Sequence, residues 1–314
     1  MELRQLAYFL AVAEERNFTR AAQRIPIAQP AISQQIHRLE SELSEKLFVR
    51  DRRGTKLTAA GEALLPHARA MLASAERARE AVGALSGLLT GRLAVGFVQP
   101  LPDRRLVGLL GEFYRQHPGI ELWLIEDETD ALLAALGTGD LDVALIGLGR
   151  YDRLPPDVAS RLAGREPVVV AAHPQHPLAG RGSIALQALR DAPMVTFTPA
   201  SKQRSNLEAA CRAAGFAPRI VAETSDLGVI VQLVQQQIGV AVLPRSALDG
   251  VTTLTQLSLT RPRLARRIVL AWRPSNSPPA ARALLALAQH HLAGPDTGTH
   301  APVPGGIQPA SPLT

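Results

Sequence analysis

Gln29, Ser33, Gln34, His37 and Arg38 fall on one side of a helical register in the segment 29–43, and no apolar residue interrupts them. Amide, hydroxyl and cationic groups spaced by helix turns are the donors and acceptors that read base edges in a major groove. A little further on, Arg50, Arg52, Arg53 and Lys56 crowd a short stretch with one acid, Asp51. Such a cluster suits the sugar-phosphate backbone or the minor groove. Without a nucleic acid, the same residues would be a solvated helix face and a solvated basic turn. No catalytic constellation accompanies them: the chain has no G-x-S-x-G elbow, no P-loop and no glycine-rich dinucleotide fingerprint after the apolar run 93–97. His173 and His176 in HPQHP, with His290 and His291, are metal-ligand types. Proline-bracketed loop histidines with no cysteine nearby read as structural.

The elements that would position the polar face are short. A first helix carries Leu3, Leu6, Phe9, Leu10, Val12 and Ala13 on its apolar side, and Phe18 plugs the core behind it. The next helix, Thr19 to Ile25, starts at a hydroxyl able to cap it and stops at Pro26. In the one after, Pro30 sits in the first turn at no cost, and Ile32, Ile36, Leu39 and Leu43 form the buried stripe. Thr58 then caps a long helix to about Leu85, roughly 40 Å at 1.5 Å per residue, bent near Pro66. Leu64, Ala68, Met71, Ala75, Ala78, Val82 and Leu85 alternate by four and three, the seam of two paired helices.

Leu88 to Gly91 reads as a hinge, and from Arg92 the pattern becomes short apolar strands alternating with helices, an α/β signature. The expected strands are 93–97, 120–125, 143–146, 168–172, 194–197, 219–222, 240–243 and 268–272. At 314 residues the chain expects two or three folded units. Its net charge of +6 and pI of 10.2 permit a nucleic-acid partner without demanding one. The single cysteine, Cys211, excludes an intramolecular disulfide framework and fits a reducing compartment; its helical neighbours Leu207, Ala210 and Ala214 make it a buried structural thiol. Glu2 and Arg4 break any signal peptide, and no apolar run of 18 residues exists. A soluble, cytoplasmic protein with no membrane partner is expected, with residues 294–314 a disordered tail rich in proline and glycine.

Three motifs in register, LRQLAYFLAVAEERNFTRAAQRI, AQPAISQQIHRLESEL and LFVRDRRGTKLTAAGEALL, make the N-terminal part resemble the LysR-type transcriptional regulators. Ser44 and Glu45 depart from the pattern, occupying a bend that is often glycine in the family. The resemblance implies an α/β protein with an all-α N-terminal part: a winged helix-turn-helix DNA-binding domain at 1–58, a linker and dimerisation helix at 59–90, and an effector-binding regulatory domain at 91–293. That domain would be of the periplasmic-binding-protein type. Its subdomain I would span about 91–162 and 266–293, and its subdomain II about 163–265, with crossovers near Arg161–Arg165 and Leu264–Arg267. GDLDVALIG, HPLAG and IGVAVLPRSAL fit that reading; Arg261, Arg263, Arg266 and Arg267 read as a solvated crossover. Candidate DNA contacts are Thr19, Gln29, Pro30, Ala31, Ser33, Gln34, Arg38, Arg50, Arg52 and Arg53. Double-stranded operator DNA, a second copy of the chain in a dimer of dimers, and RNA polymerase are the macromolecular partners implied.

Ligands of two-subdomain α/β units sit beyond the carboxyl ends of the strands, near free helix N-termini. Three loops qualify and are expected to face one another: 99–103, 128–129 and 198–204. The candidate effector-binding residues are Gln99, Pro100, Glu128, Thr129, Thr198, Ser201, Lys202 and Arg204. Ser201, Lys202 and Arg204 favour an anionic group, whereas Glu126, Asp127 and Glu128 favour an amine, so the expectation is a small polar, zwitterionic metabolite and no cofactor. The competing class is a solute-binding or enzymatic α/β protein whose N-terminal helices only oligomerise it. The missing export signal and missing catalytic motifs weigh against it.

Overall fold

The computed structural model describes residues 1–51, 54–83, 89–99, 104–150 and 152–291. Arg52, Arg53, Leu85, Leu88, Pro100 and the expected tail lie outside those residues.

The N-terminal unit is built from α1 (Leu3–Glu15), α2 (Phe18–Arg24) and α3 (Gln29–Leu43), then a hairpin of β1 (Phe48–Asp51) and β2 (Gly54–Leu57), then α4 (Ala59–Gly83). Leu6, Phe9, Val12, Phe18, Ile32, Ile36, Leu39 and Leu47 form its core. Phe48 brings the hairpin into that core, its ring 5.3 Å from Phe9 and 5.7 Å from Phe18. Two local expectations need correction. The cap of α2 is Asn17, whose side chain accepts from the Thr19 and Arg20 amides at 2.8 and 3.1 Å, so Thr19 lies inside the helix with its side chain exposed. Leu43 is 38% exposed, and the stripe instead ends on buried Glu40, because the chain turns back at Ser44 in the left-handed region (φ +55°). That conformation is the reason glycine suits the Ser44 bend.

Thr58 caps α4, accepting from the Gly61 amide at 3.0 Å, and its hydroxyl donates to the Lys46 carbonyl at 2.5 Å. The expected seam divides. Leu64, Ala68 and Met71 pack into the N-terminal core, which takes the near half of the helix for its own unit, while Val82 remains 70% exposed. Pro66 is accommodated inside α4, in its early turns.

The remaining elements are β3 (Gly91–Phe97), α5 (Arg104–Gln116), β4 (Ile120–Glu126), α6 (Thr129–Thr138), β5 (Val143–Leu148), β6 (Ala159–Ala172), β7 (Ser183–Ile184), β8 (Pro193–Thr196), α7 (Lys202–Ala213), β9 (Arg219–Glu223), α8 (Leu227–Gln235), β10 (Ala241–Pro244), β11 (Thr255–Leu259), β12 (Ala265–Trp272) and α9 (Pro279–His291). In the first lobe β3 lies parallel between β4 and β5. Alternate residues leave opposite faces: Leu93, Val95, Val143 and Leu145 pack with α5 and α9, and Ala94, Ala144 and Ile146 pack with α6. The second lobe repeats the arrangement. Val170 and Ala172 join α7, and Val169 and Ala171 join α8.

The crossovers are not loops. β6 and β12 are long antiparallel partners, registered from Ala265↔Pro167 to Trp272↔Ala159, and they carry one sheet from lobe to lobe in the order β4-β3-β5-β12-β6-β11-β7 among the described residues. Arg266 is therefore not solvated. It is 6% exposed and forms a 2.6 Å ion pair with Glu166, its register partner. Residues 159–167 and 255–259, unassigned from the sequence, are strands because partners remote in the chain supply their hydrogen bonds: β12 for the first, and residues 169–172 of β6 with β7 for the second.

Candidate DNA-reading face and effector cleft

On α3 the stripe Ile32, Ile36 and Leu39 turns inward, and Pro30, Ala31, Gln34, His37 and Arg38 are left exposed. Gln29 and Ser33, one turn apart, are half-buried and joined, the Gln29 amide donating to the Ser33 hydroxyl at 2.9 Å. That bond orders both side chains before any partner arrives. Arg50 belongs to β1, opposite Thr55 on β2, and Lys56 belongs to β2, opposite Val49, so these two basic residues are carried on the strands of a hairpin.

Glu40 fixes the hairpin to the helix, a role the sequence reading missed. Its buried carboxylate accepts from Lys46 Nζ at 2.7 Å and the Leu47 amide at 3.0 Å, with His37 Nδ1 at 3.4 Å. Burial pushes this carboxyl up, but the Lys46 and Leu47 hydrogen bonds and the Lys46 charge outweigh it and hold Glu40 below its ordinary range. The acid lies on the helix and the lysine six residues on, past the helix end, a spacing that matches no helical or strand period.

The loops at the carboxyl ends of β4 and β8 meet. Ser201 and Lys202, at the start of α7 in the second lobe, stand near the carboxylate of Glu128, which precedes α6 in the first lobe. Lys202 Nζ lies 3.0 Å from Asp130 Oδ2, and the Asn206 amide donates to Asp152 Oδ2 at 3.3 Å. The same Asp152 oxygen accepts from the Gly149 amide at 2.7 Å. A Cβ on Gly149 would lie 2.5 Å from the Asn206 amide, so a larger residue there would have to push the Asn206 side chain aside. Burial, and then the neighbouring Asp127 and Asp130 charges, push the Glu128 carboxyl up.

Other expected groups are placed differently. Arg204 is 9% exposed and bonds to Glu208 at 2.5 Å, the Phe197 carbonyl at 3.1 Å and Glu223 at 3.3 Å, all within its own lobe, so its charge is already matched. Thr129 is buried, with its hydroxyl 3.4 Å from the Gly147 carbonyl. Thr198 is half-buried and Gln99 is exposed. The histidines of HPQHP serve turns: His173 Nδ1 accepts from Gln175 and His176 Nδ1 from Leu178. Cys211 is fully buried, and burial followed by the Glu208 charge pushes its thiol up to about 11. No helix among the described residues is long and apolar enough to cross a membrane.

Residues 3–62 match the bacterial regulatory helix-turn-helix protein, lysR family, and residues 86–293 match the LysR substrate binding domain. The HTH-type transcriptional regulator ShiR of Corynebacterium glutamicum (strain R) is 41% identical over 246 residues, covering 77% of this chain and 82% of the relative. Full-length OxyR from Pseudomonas aeruginosa superposes with a TM-score of 0.72 at 28% identity, over 93% of this chain and 95% of that one. Full-length CbnR complexed with its target DNA does so with a TM-score of 0.68 at 25% identity, over 93% and 100%. Both halves match one family and are joined as in its full-length structures: the chain belongs to the LysR family, DNA-binding transcriptional regulators with an effector-binding domain.

Proposed function

We propose that α3 reads operator base edges through Gln29, Ser33, Gln34 and Arg38, that Thr19, Pro30 and Ala31 lie against the same groove, and that Arg50, Arg52 and Arg53 contact phosphate or the minor groove. The ordered Gln29–Ser33 pair on an otherwise exposed polar face is the observation that carries this reading. Replacing Ser33 or Gln34 by alanine should cost about 1 to 3 kcal/mol on the operator and relax preference at one position per half-site. Equal losses on operator and random DNA would count against base reading.

The cleft between the lobes is the proposed site of a small polar metabolite, with no cofactor. Gln99, Pro100, Glu128, Thr129, Thr198, Ser201, Lys202 and Arg204 remain its candidate residues, of which Glu128, Ser201 and Lys202 stand at the meeting point of the lobes. A thermal-shift screen of metabolites against the full chain, followed by calorimetry on Thr129→Ala, Thr198→Ala and Ser201→Ala, tests it. If all three variants bind a screened effector as the parent does, the site is elsewhere.

Self-association is the remaining part of the proposal. The far half of α4 is free of its own unit's core, with Val82 exposed, and Trp123, Leu124 and Ile125 on edge strand β4 are 46%, 54% and 37% exposed. A second copy covering both surfaces would set two α3 helices about one DNA turn apart, as dimeric readers require. Charges at Val82 and Leu85 together should dissociate the assembly in sedimentation. The cytoplasm is the proposed location, and RNA polymerase a further partner at the promoter.

A further inference from the structure

Two exposed side chains able to carry positive charge meet at one buried oxygen beside α3. Glu40 Oε2 takes Lys46 Nζ at 2.7 Å and lies 3.4 Å from His37 Nδ1, while Oε1 accepts from the Leu47 amide at 3.0 Å. The Glu40 side chain is only 6% exposed, but those of His37 and Lys46 are each 67% exposed, so both are tethered from behind and open in front. His37 is held through Nδ1, which leaves Nε2 for a partner. The two side chains also line a recess of about 320 Å³ between α2, α3 and the start of the hairpin, with Ser33 on its wall. Glu40 and Lys46 are the charged residues that face His37 there, since α2 and β1 contribute only Phe18 and Phe48.

Position along the helix decides what these groups meet. In a helix-turn-helix the first residues of the reading helix address base edges. His37 stands two turns beyond Gln29, about 12 Å at 1.5 Å per residue, which is close to the whole width of the major groove. A side chain that far along reaches the wall of the groove, where the sugar-phosphate backbone runs. We propose that His37 and Lys46 clamp one operator phosphate, that Glu40 is the positioning residue holding them side by side, and that the clamp closes with His37 protonated. Charge balance requires the proton. Lys46 is offset by Glu40, so the net attraction for a phosphate comes from the imidazolium, and histidine is the side chain that changes charge near neutral pH. The proposal rests on α3 being the DNA-reading helix and adds to it a phosphate contact governed by pH.

The test is the salt dependence of binding by the full-length chain, measured on duplex DNA that the wild-type chain enriches from a randomised library. At pH 6, His37→Ala and Lys46→Ala should each lower the slope of log affinity against log salt by about one, and should weaken enriched and random duplexes alike. In the wild-type chain that slope should fall by about one between pH 6 and pH 8, a fall that His37→Ala should lose. His37→Arg is charged at both values and should keep the slope high at both. A purely structural role for His37 would not make a salt slope depend on pH. Equal wild-type slopes at pH 6 and pH 8, unaltered by His37→Ala, would overturn the clamp. A His37→Ala chain with its slope intact and its preference relaxed at one base pair would overturn it too, making His37 a base reader. Should Lys46→Ala not fold, because Glu40 loses its cation, the two His37 variants decide by themselves. If Ser33→Ala and Gln34→Ala leave the preference among duplexes unchanged, the reading of α3 fails and takes the clamp with it, whereas missing slope effects alone remove only the clamp.

Discussion

Glu166 and Arg266 face each other as register partners on β6 and β12, their charged groups 2.6 Å apart and both nearly excluded from solvent, at the place where the two strands pass between the lobes. The carboxylate is doubly held, since it also accepts from the Ser246 amide at 2.7 Å. Burial lowers the Arg266 pKa against the opposing pull of Glu166. Each charge is tolerable there only because of the other.

Breaking that pair from one side should be costly. Arg266→Met leaves a buried carboxylate without its cation, and a loss of about 3 to 5 kcal/mol is expected in urea unfolding of the full chain. Adding Glu166→Gln to that variant should recover much of the loss. Equal losses in the single and double variants would show that packing, not charge, governs the site.

Gly61 provides a steric test of how the hairpin is seated on α4. A Cβ there would stand 2.3 Å from the Leu47 carbonyl oxygen, a backbone atom with no freedom to step aside. Gly61→Ala should therefore push α4 away from the segment leading into β1, destabilising the N-terminal unit by about 1 to 3 kcal/mol and weakening operator binding. Unchanged denaturation and DNA affinity together would refute this.

Glu40 sets a pH dependence with a definite sign. Its carboxyl is held below the ordinary 4.5, so its stabilisation is complete above that value and fades as pH falls through the folded-state pKa. Glu40→Ala, which strips the Leu47 amide of its acceptor, should cost about 1 to 3 kcal/mol near neutral pH, and the deficit should shrink below about pH 4. A deficit that stays constant across that range would place the effect in packing alone.

Cys211 should be chemically silent while the chain is folded. With its thiol pushed up to about 11 and no exposure, iodoacetamide labelling near pH 8 is expected to run at least about 100-fold slower than in the urea-unfolded chain. Comparable rates in the two states would mean that α7 opens readily.

What the residues announced by themselves was local. The spacing of Ile32, Ile36 and Leu39, the stop at Pro26, the alternation of apolar strands from Arg92 and the helical company of Cys211 are legible because each lies within one element and follows its 3.6- or 2-residue period. Tertiary structure decided everything that depended on a partner remote in the chain. The cap on α2 is a local matter that the residue types alone left open: it went to Asn17, since its side chain, not that of Thr19, reaches the amides two and three residues on. Leu64, Ala68 and Met71 went to the N-terminal core because α1 and β2 lie against α4, a competition periodicity alone cannot judge. Arg266 looked like one of four solvated arginines until β6 brought Glu166 to it from 100 residues away. Arg204, expected to greet an anion in the cleft, is matched by Glu208 and Glu223. Charge type can be read from a sequence, but the identity of the opposite charge is set by which strands and helices pack together.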